Sequence, residues 1–600
     1  MKNFIKSVSV ASIGVLVGLF IFSFINMVMV GIIIGSMSNT GSFKVKDNTI
    51  LRIDFDGQLN DRKIDNPFSS ITGTTSVGMD DVLSAIRKAK ENEQVKGIYL
   101  RCKSLSGGIA SLEPIRNALI DFKESGKFII SYADFYNQAT YYLSSPADKI
   151  MLNPKGMLDF SGLSMRLQFK RGMYEKIGVK YEVFKVGTYK SYVEPFIQDK
   201  MSDAYREQTS ALLNDVWSHW LEQISESRSI PVNTLQTYAD MYLGFYEADT
   251  ILKFGMVDTL IYAAGIENYL KERLCIKEEA KLNIATVKNM NSLPEAKGKK
   301  SKDVIAVIYA EGEIVTHEVK NDFLQGNMFS SEKYIAEFQK LKKDKTIKAV
   351  VFRINCPGGS AYASEQLWHA VEELKKEKPV IVSMGDYAAS GGYYIACNAT
   401  QIVAEPTTIT GSIGIFSLFP DGEELAKKMG VTFDEVKTNK HSGFGGQYFG
   451  IPFLITAKSR AFTKEESQIL QAHIERGYDL FITRCADGRS KTKAEIDVIG
   501  QGRVWTGKQA LALGLVDKLG SLDDALKIAA EIAEIKDYTV KDYPEKKDFF
   551  AELFKSATGG ATLKMARFML GDEEYNRQML MKTLRNTEII VAEMPERISF

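Results

Sequence analysis

The segment SYADFYNQATYYLSSPADKIMLNP (131–154) lies over SMGDYAASGGYYIACNATQIVAEP (383–406) without a gap. The offset is 383 − 131 = 252, which puts Asp134 on Asp386, Tyr141 and Tyr142 on Tyr393 and Tyr394, Ile150 on Ile402, and Pro154 on Pro406. Upstream, VKGIYLRC (95–102) matches IKAVVFRI (347–354) at the same offset. Downstream, FYEADTILKFGMVD (245–258) matches VWTGKQALALGLVD (504–517) at 504 − 245 = 259. Matches over such a length mean duplication, so whatever fold one half takes the other must also take.

Within the second half, VIAVIYAEGEI, IKAVVFRIN and PVIVSM read as strands. SEKYIAEFQKLKKD and ASEQLWHAVEELKKE carry helical periodicity, and a further helix begins near Ser390. Short apolar, β-branched runs between amphipathic helices imply a mainly parallel sheet covered by helices. The polar, basic stretch MNSLPEAKGKKSKD (290–303) is the best linker between the copies. The organisation expected is an anchor at 1–42, a first repeat at 43–297, a second repeat at 298–537 and a charged tail at 538–600.

The anchor follows from charge. No charged residue occurs from Ser7 to Phe43, and about 20 apolar residues span a bilayer. A shorter apolar region and an A-x-A-like cleavage site would mark a signal peptide, and neither is present, so the segment reads as an uncleaved membrane helix. Lys2 and Lys6 on one side face Lys44, Lys46 and Arg52 on the other, so flanking charge does not set its orientation. Lys plus Arg (76) balance Asp plus Glu (75), which gives no bulk charge for binding nucleic acid. The cysteines (Cys102, Cys275, Cys356, Cys397, Cys485) are odd in number and lack CxxC spacing, and the five histidines form no HExxH. Neither a disulfide framework nor a metal site is expected.

Differences between the copies show where their roles diverged. Ser390, in DYAASGGYY, falls on Gln138, since 390 − 252 = 138. Lys190, in GTYKSYVEPF, falls on Ser442, since 190 + 252 = 442. Each copy therefore lacks what the other has, at the same spacing: 190 − 138 = 52 and 442 − 390 = 52. A serine hydroxyl is a weak nucleophile that needs a base, and a lysine is a base only when neutral, the form that dry surroundings favour. The reciprocity points to a Ser390–Lys190 pair assembled across the halves. Lys185 and Lys440 are rival bases, and His441 with Asp386 could complete a Ser–His–Asp triad.

A serine hydrolase also needs donors for an oxyanion. NCPGGS (355–360) follows a strand, and the Gly359 amide together with the Gly391 amide after the nucleophile would serve. Ser412, in TITGSIGIF, sits in a glycine-flanked turn and reads either as a bare turn residue or as a hydroxyl that orients the lysine amine. GxSxG is absent around Ser390, so an α/β-hydrolase elbow is not supported.

Together NCPGGSAYASE, DYAASGGYYIACNA, TGSIGIF and GTYKSYVEPF resemble the signal peptide peptidase A family (protease IV) in its long, duplicated form, over 43–537 and the anchor. The resemblance implies tandem crotonase-like or Clp-protease-like spiral α/β domains behind an N-terminal transmembrane helix. It implies Ser390 as nucleophile and Lys190 as general base, Gly359 and Gly391 as oxyanion donors, Ser412 as an aid to the lysine, and no cofactor. It also implies a homotetramer on the periplasmic side of the inner membrane, acting on signal peptides already cut from their preproteins. One departure is Cys356, where the family motif commonly has serine (N-S-P-G-G). An acyl-CoA hydratase-type enzyme on the same fold and a non-catalytic membrane scaffold are the rival functions.

Overall fold

The computed structural model describes residues 43–63, 76–294, 301–317, 328–451, 455–545 and 591–593, with Gly18 alone before them. The expected anchor at 1–42 and most of the expected tail thus lie outside the described residues. Among the described residues no helix is long and apolar enough to cross a membrane.

Among the described residues, three sheets carry the fold. In the first half, Thr49–Asn60, Val95–Ser106, Phe128–Tyr136 and Lys149–Leu158 run parallel as neighbours. In the second half, Val304–Glu311, Ile347–Cys356 and Val380–Ala389 repeat that plan, also in parallel. Val380–Ala389 is buried at every position, as a central strand covered on both faces must be. The helices Ser331–Lys343 and Ala361–Lys375 turn apolar stripes inward at helical spacing (Tyr334, Phe338, Leu341; Leu367, Val371, Leu374). Thr539–Tyr543, the start of the expected tail, adds a parallel strand beside Val304–Glu311.

The duplication extends to the capping chemistry. Asp203–Arg228 and Lys464–Arg489 are both 26-residue helices. Each opens on a hydroxyl N-cap, Ser202 or Thr463, and ends on a left-handed serine, Ser229 or Ser490. Each then ties its last arginine to an aspartate, Arg228 to Asp258 and Arg489 to Asp517. Those aspartates accept the Ile150 and Ile402 backbone N–H groups, which fall on each other at the 252 offset.

The halves are not independent beads. The core of the first takes in Tyr387, Ala389, Ile409 and Val504 from the second. Phe184 of the first lies within the core of the second. The buried guanidinium of Arg353 meets the buried Asp61 carboxylate through two hydrogen bonds of 2.9 Å. Most important for the site, Lys180–Val186 leaves the first-half sheet. It pairs antiparallel with Ile415–Asp421, from Ile415↔Val186 to Asp421↔Lys180.

Candidate active site

That exchanged strand delivers Lys190. Immediately after it, Gly187 (φ 108°) turns the chain, and a Cβ there would lie 2.5 Å from the Gln501 carbonyl carbon and oxygen. Only glycine allows the two loops to approach so closely. The Tyr189 N–H donates to the Gln501 carbonyl at 2.8 Å, and the Gln208 side-chain amide donates to the Tyr189 carbonyl at 3.0 Å. Gly502 (φ 78°) lies flat against the Lys190 backbone. The lysine side chain is thereby directed inward and is fully buried. Its Nζ lies 2.8 Å from Ser390 Oγ, 3.1 Å from Ser412 Oγ and 3.3 Å from the Ser412 carbonyl oxygen. The Phe416 ring centre is 5.9 Å from the same atom.

Ser390 ends the buried strand Val380–Ala389 and opens the short helix Gly391–Tyr394. It holds φ 55° and ψ −115°, a region that costs a non-glycine residue on the order of 1–3 kcal/mol. The surroundings impose it: the Ser390 N–H donates to the Gly411 carbonyl, and its carbonyl accepts from Tyr394 N–H, both at 2.8 Å. Ser412 is also at positive φ (49°), pinned by its N–H to the Arg503 carbonyl at 2.7 Å. The small residues beside Ser390 have a packing reason as well, because a Cβ on Gly392 would lie 2.5 Å from the Cys356 carbonyl oxygen.

Gly391 is the first residue of its helix, so its N–H has no acceptor within that helix. The strand Gly358–Ser360 packs against the same helix. Gly359 (φ 146°) touches the Ile314 backbone so closely that a Cβ would sit 2.3 Å from the Ile314 carbonyl oxygen. The five residues expected from the sequence thus fall in one neighbourhood.

The rival groups do not reach it. His441 is exposed and faces Glu465 at 3.5 Å, and Lys440 is exposed and paired with the same carboxylate. Asp386 is buried elsewhere, accepting from the Ser111 N–H at 2.8 Å, the Ser111 hydroxyl at 2.7 Å and the Asn355 amide at 3.3 Å. Burial raises its carboxyl above the usual range, and its role is to join the halves. Lys185, whose ammonium is disfavoured by burial, donates to the Lys190 carbonyl at 3.4 Å. In the first half, Gln138 fills the position of Ser390, accepting from the Gly162 N–H at 2.8 Å and donating to the Gly162 carbonyl at 3.0 Å. Ser442, opposite number of Lys190, is exposed. Among the described residues no cluster of three or more His, Cys, Asp or Glu could hold a metal. Gln208, Gln501 and Gly502, which seat the lysine, were not legible in advance; as single polar or glycine residues they carry no motif.

A buried amine on a strained serine hydroxyl is an arrangement for transferring a proton out of the hydroxyl as it attacks. The model of "Peptidase family S49" matches residues 121–276 and 372–536. The chain belongs to peptidase family S49. This S49 chain is 34% identical to "Protease 4" of Salmonella typhi over 556 residues, 89% of this chain and 87% of that protein. It is 33% identical to "Protease 4" of Haemophilus influenzae over 86% of this chain and 84% of that one. It is 30% identical to "Serine protease SPPA, chloroplastic" of Arabidopsis thaliana, over 82% and 70% respectively. This S49 chain is a serine peptidase with an α/β fold, and the family match falls once in each repeat.

Proposed function

We propose that this peptidase cuts apolar peptides with a Ser390–Lys190 dyad shared between its repeats. Residues 43–297 supply the base and 298–537 the nucleophile. Ser390 Oγ attacks the peptide carbonyl while neutral Lys190 takes its proton, and the lysine returns that proton to the leaving amine. Water then adds to the acyl-enzyme, with Lys190 again as base, and frees the acid. The Gly359 and Gly391 amides hold the developing oxyanion, and Ser412 keeps the amine aimed at Ser390. No cofactor takes part. The observation that carries this reading is the 2.8 Å contact between two fully buried side chains from opposite repeats. A hydratase-type reaction or an inert scaffold would have no use for it.

The uncharged run from Ser7 to Phe43 supports anchoring by a single membrane helix. A site tethered there would meet remnant signal peptides, which stay in the bilayer after processing, and that is the substrate we assign. The remaining expectations belong to the same reading: crotonase- or Clp-like spiral domains, a homotetramer, and a periplasmic face of the inner membrane. Nucleic acid has no part in it.

The test is cleavage of a synthetic signal peptide by the full chain in detergent, with Ser390→Ala and Lys190→Ala alongside. Wild type should cleave, and both variants should fail while remaining folded. Undiminished cleavage by Lys190→Ala would refute the dyad.

A further inference from the structure

The two repeats also differ just before the oxyanion donors. In the first, Val95–Ser106 runs as one strand and is still paired with Gln58 at Ser106. In the second, the matching strand stops at Cys356, which falls on Ser104, since 356 − 252 = 104. Pro357 follows, and Gly358–Ser360 resumes as a separate strand in a different sheet. Its neighbours there are Ile314 on one side and Val591–Glu593 on the other, and the latter also meets Phe416. The break thus belongs to the repeat that carries Ser390, and it sets the direction of Gly359.

Such a break needs something to hold it. Gly358 and Gly359 stand at φ 128° and 146°, and two glycines in succession leave the backbone little restrained by sterics. Pro357 has no N–H to tie down. The Cys356 side chain supplies the tie: its Sγ accepts the Gly358 N–H and donates to the Gly358 carbonyl oxygen, both at 3.3 Å. The thiol is fully buried, so water does not compete for these bonds. Serine and threonine hydroxyls hold turns by the same closure onto the backbone two residues on; here sulfur does it. With the Gly358 N–H turned back onto the thiol, the next N–H along the strand, that of Gly359, points the opposite way. Cys356 also borders the other donor. It pairs with Ala388, two residues before Ser390, and its carbonyl oxygen lies where a Cβ on Gly392 would come within 2.5 Å. In the first repeat, Ser104 is exposed and makes no such closure among the described contacts.

We infer that Cys356 is a positioning residue for the cleavage reaction: its thiol fixes the Pro357–Gly358 turn so that the Gly359 amide is presented to the oxyanion. The inference rests on the peptidase reading above. It accounts for the exchange of cysteine for the serine of N-S-P-G-G, because a hydroxyl can make the same two bonds. It also gives the thiol a task other than filling space, since its two bonds are to the residue next to the donor.

Two variants of the full chain in detergent, Cys356→Ala and Cys356→Ser, test this. Both shed the sulfur's bulk, and only serine can restore the two bonds. In the catalytic background, Cys356→Ala should lower kcat for a signal peptide about tenfold, the worth of one neutral hydrogen bond, with KM unchanged. Cys356→Ser should recover most of that loss. A peptide aldehyde, whose adduct with Ser390 places an oxygen where the oxyanion forms, should bind Cys356→Ala more weakly by the same factor. A second measurement needs no peptidase activity. In a Ser390→Ala background, hydrogen exchange at 358–360 should quicken about tenfold with Cys356→Ala and stay near its original rate with Cys356→Ser, with Thr49–Asn60 unchanged in both. Equal losses in the two variants would mean that the sulfur only packs, and would overturn the proposal. So would a Cys356→Ala enzyme with wild-type kcat and wild-type exchange. Quickened exchange in Cys356→Ala alone, in a chain whose wild type cleaves nothing, would uphold the thiol's hold on the glycine turn and refute the peptidase reading.

Discussion

One methyl group far from Ser390 in sequence should disarm the site. A Cβ at Gly502 would lie 2.7 Å from the Lys190 Cβ and backbone nitrogen and 2.8 Å from its Cα, whereas ordinary contact begins at 3.4 Å. In Gly502→Ala the Lys190 segment must therefore retreat by 3.4 − 2.7 = 0.7 Å. Passed on to Nζ, that displacement stretches the 2.8 Å bond to Ser390 to 2.8 + 0.7 = 3.5 Å, the limit of a hydrogen bond. A misplacement near 1 Å costs about 100-fold in rate, or about 2.7 kcal/mol of transition-state stabilisation. The left-handed backbone at φ 78° adds about 1–2 kcal/mol of strain, which calls for a control with equal strain. Gly514 has φ 73°, but its Cβ would meet only the flexible end of Lys491 at 3.0 Å. The assay is kcat/KM on a signal peptide, with the melting temperature of each variant. Both variants should melt lower, and only Gly502→Ala should lose about 100-fold in kcat/KM, mostly in kcat. A folded Gly502→Ala enzyme retaining a third of wild-type activity would refute the claim that this loop seats the base.

Three further outcomes are expected. Ser412→Ala removes one of the acceptors around the lysine amine and should lower kcat about tenfold with KM unchanged; equal kcat would deny Ser412 any part in aiming Lys190. Asp61→Ala strands the buried Arg353 guanidinium and should cost about 3–5 kcal/mol of stability by denaturant titration. Replacing both partners with apolar residues should recover much of that loss. The Glu405 carboxyl is pushed up to about 8 by burial and then by Glu113, so the folded state holds its proton more tightly than the unfolded state does. Stability should accordingly fall as pH rises from the ordinary glutamate range through 8, by about 4 kcal/mol between pH 5 and pH 9 from this group. Glu405→Gln should flatten that slope, and an unchanged slope would assign it elsewhere.

Much of this architecture was legible because the chain is written twice. The parallel strands and the helices of the second half fall where apolar periodicity puts them. Ser390 and Lys190 stood out because their partners in the other copy, Gln138 and Ser442, cannot do the same work. What could not be read was non-local. Nothing in KYEVFKV (180–186) says that it leaves its own sheet for Ile415–Asp421, yet that exchange is what carries Lys190 to Ser390. Gln208, Gln501 and Gly502 act through backbone carbonyls and close approach, which depend on tertiary position and not on residue type. Val591–Glu593 is too short for periodicity to register, and its place depends on two edges more than 170 residues earlier in the chain.

Covalent trapping tests the central claim most directly. The full chain would be incubated with a peptidyl phosphonate that acylation-competent serines attack, and the adduct mapped by peptide mass. A single adduct on Ser390 in the wild type is expected, lost in Ser390→Ala and slowed at least 100-fold in folded Lys190→Ala. Labelling at another residue, or labelling of Lys190→Ala at the wild-type rate, would contradict a dyad shared across the two repeats.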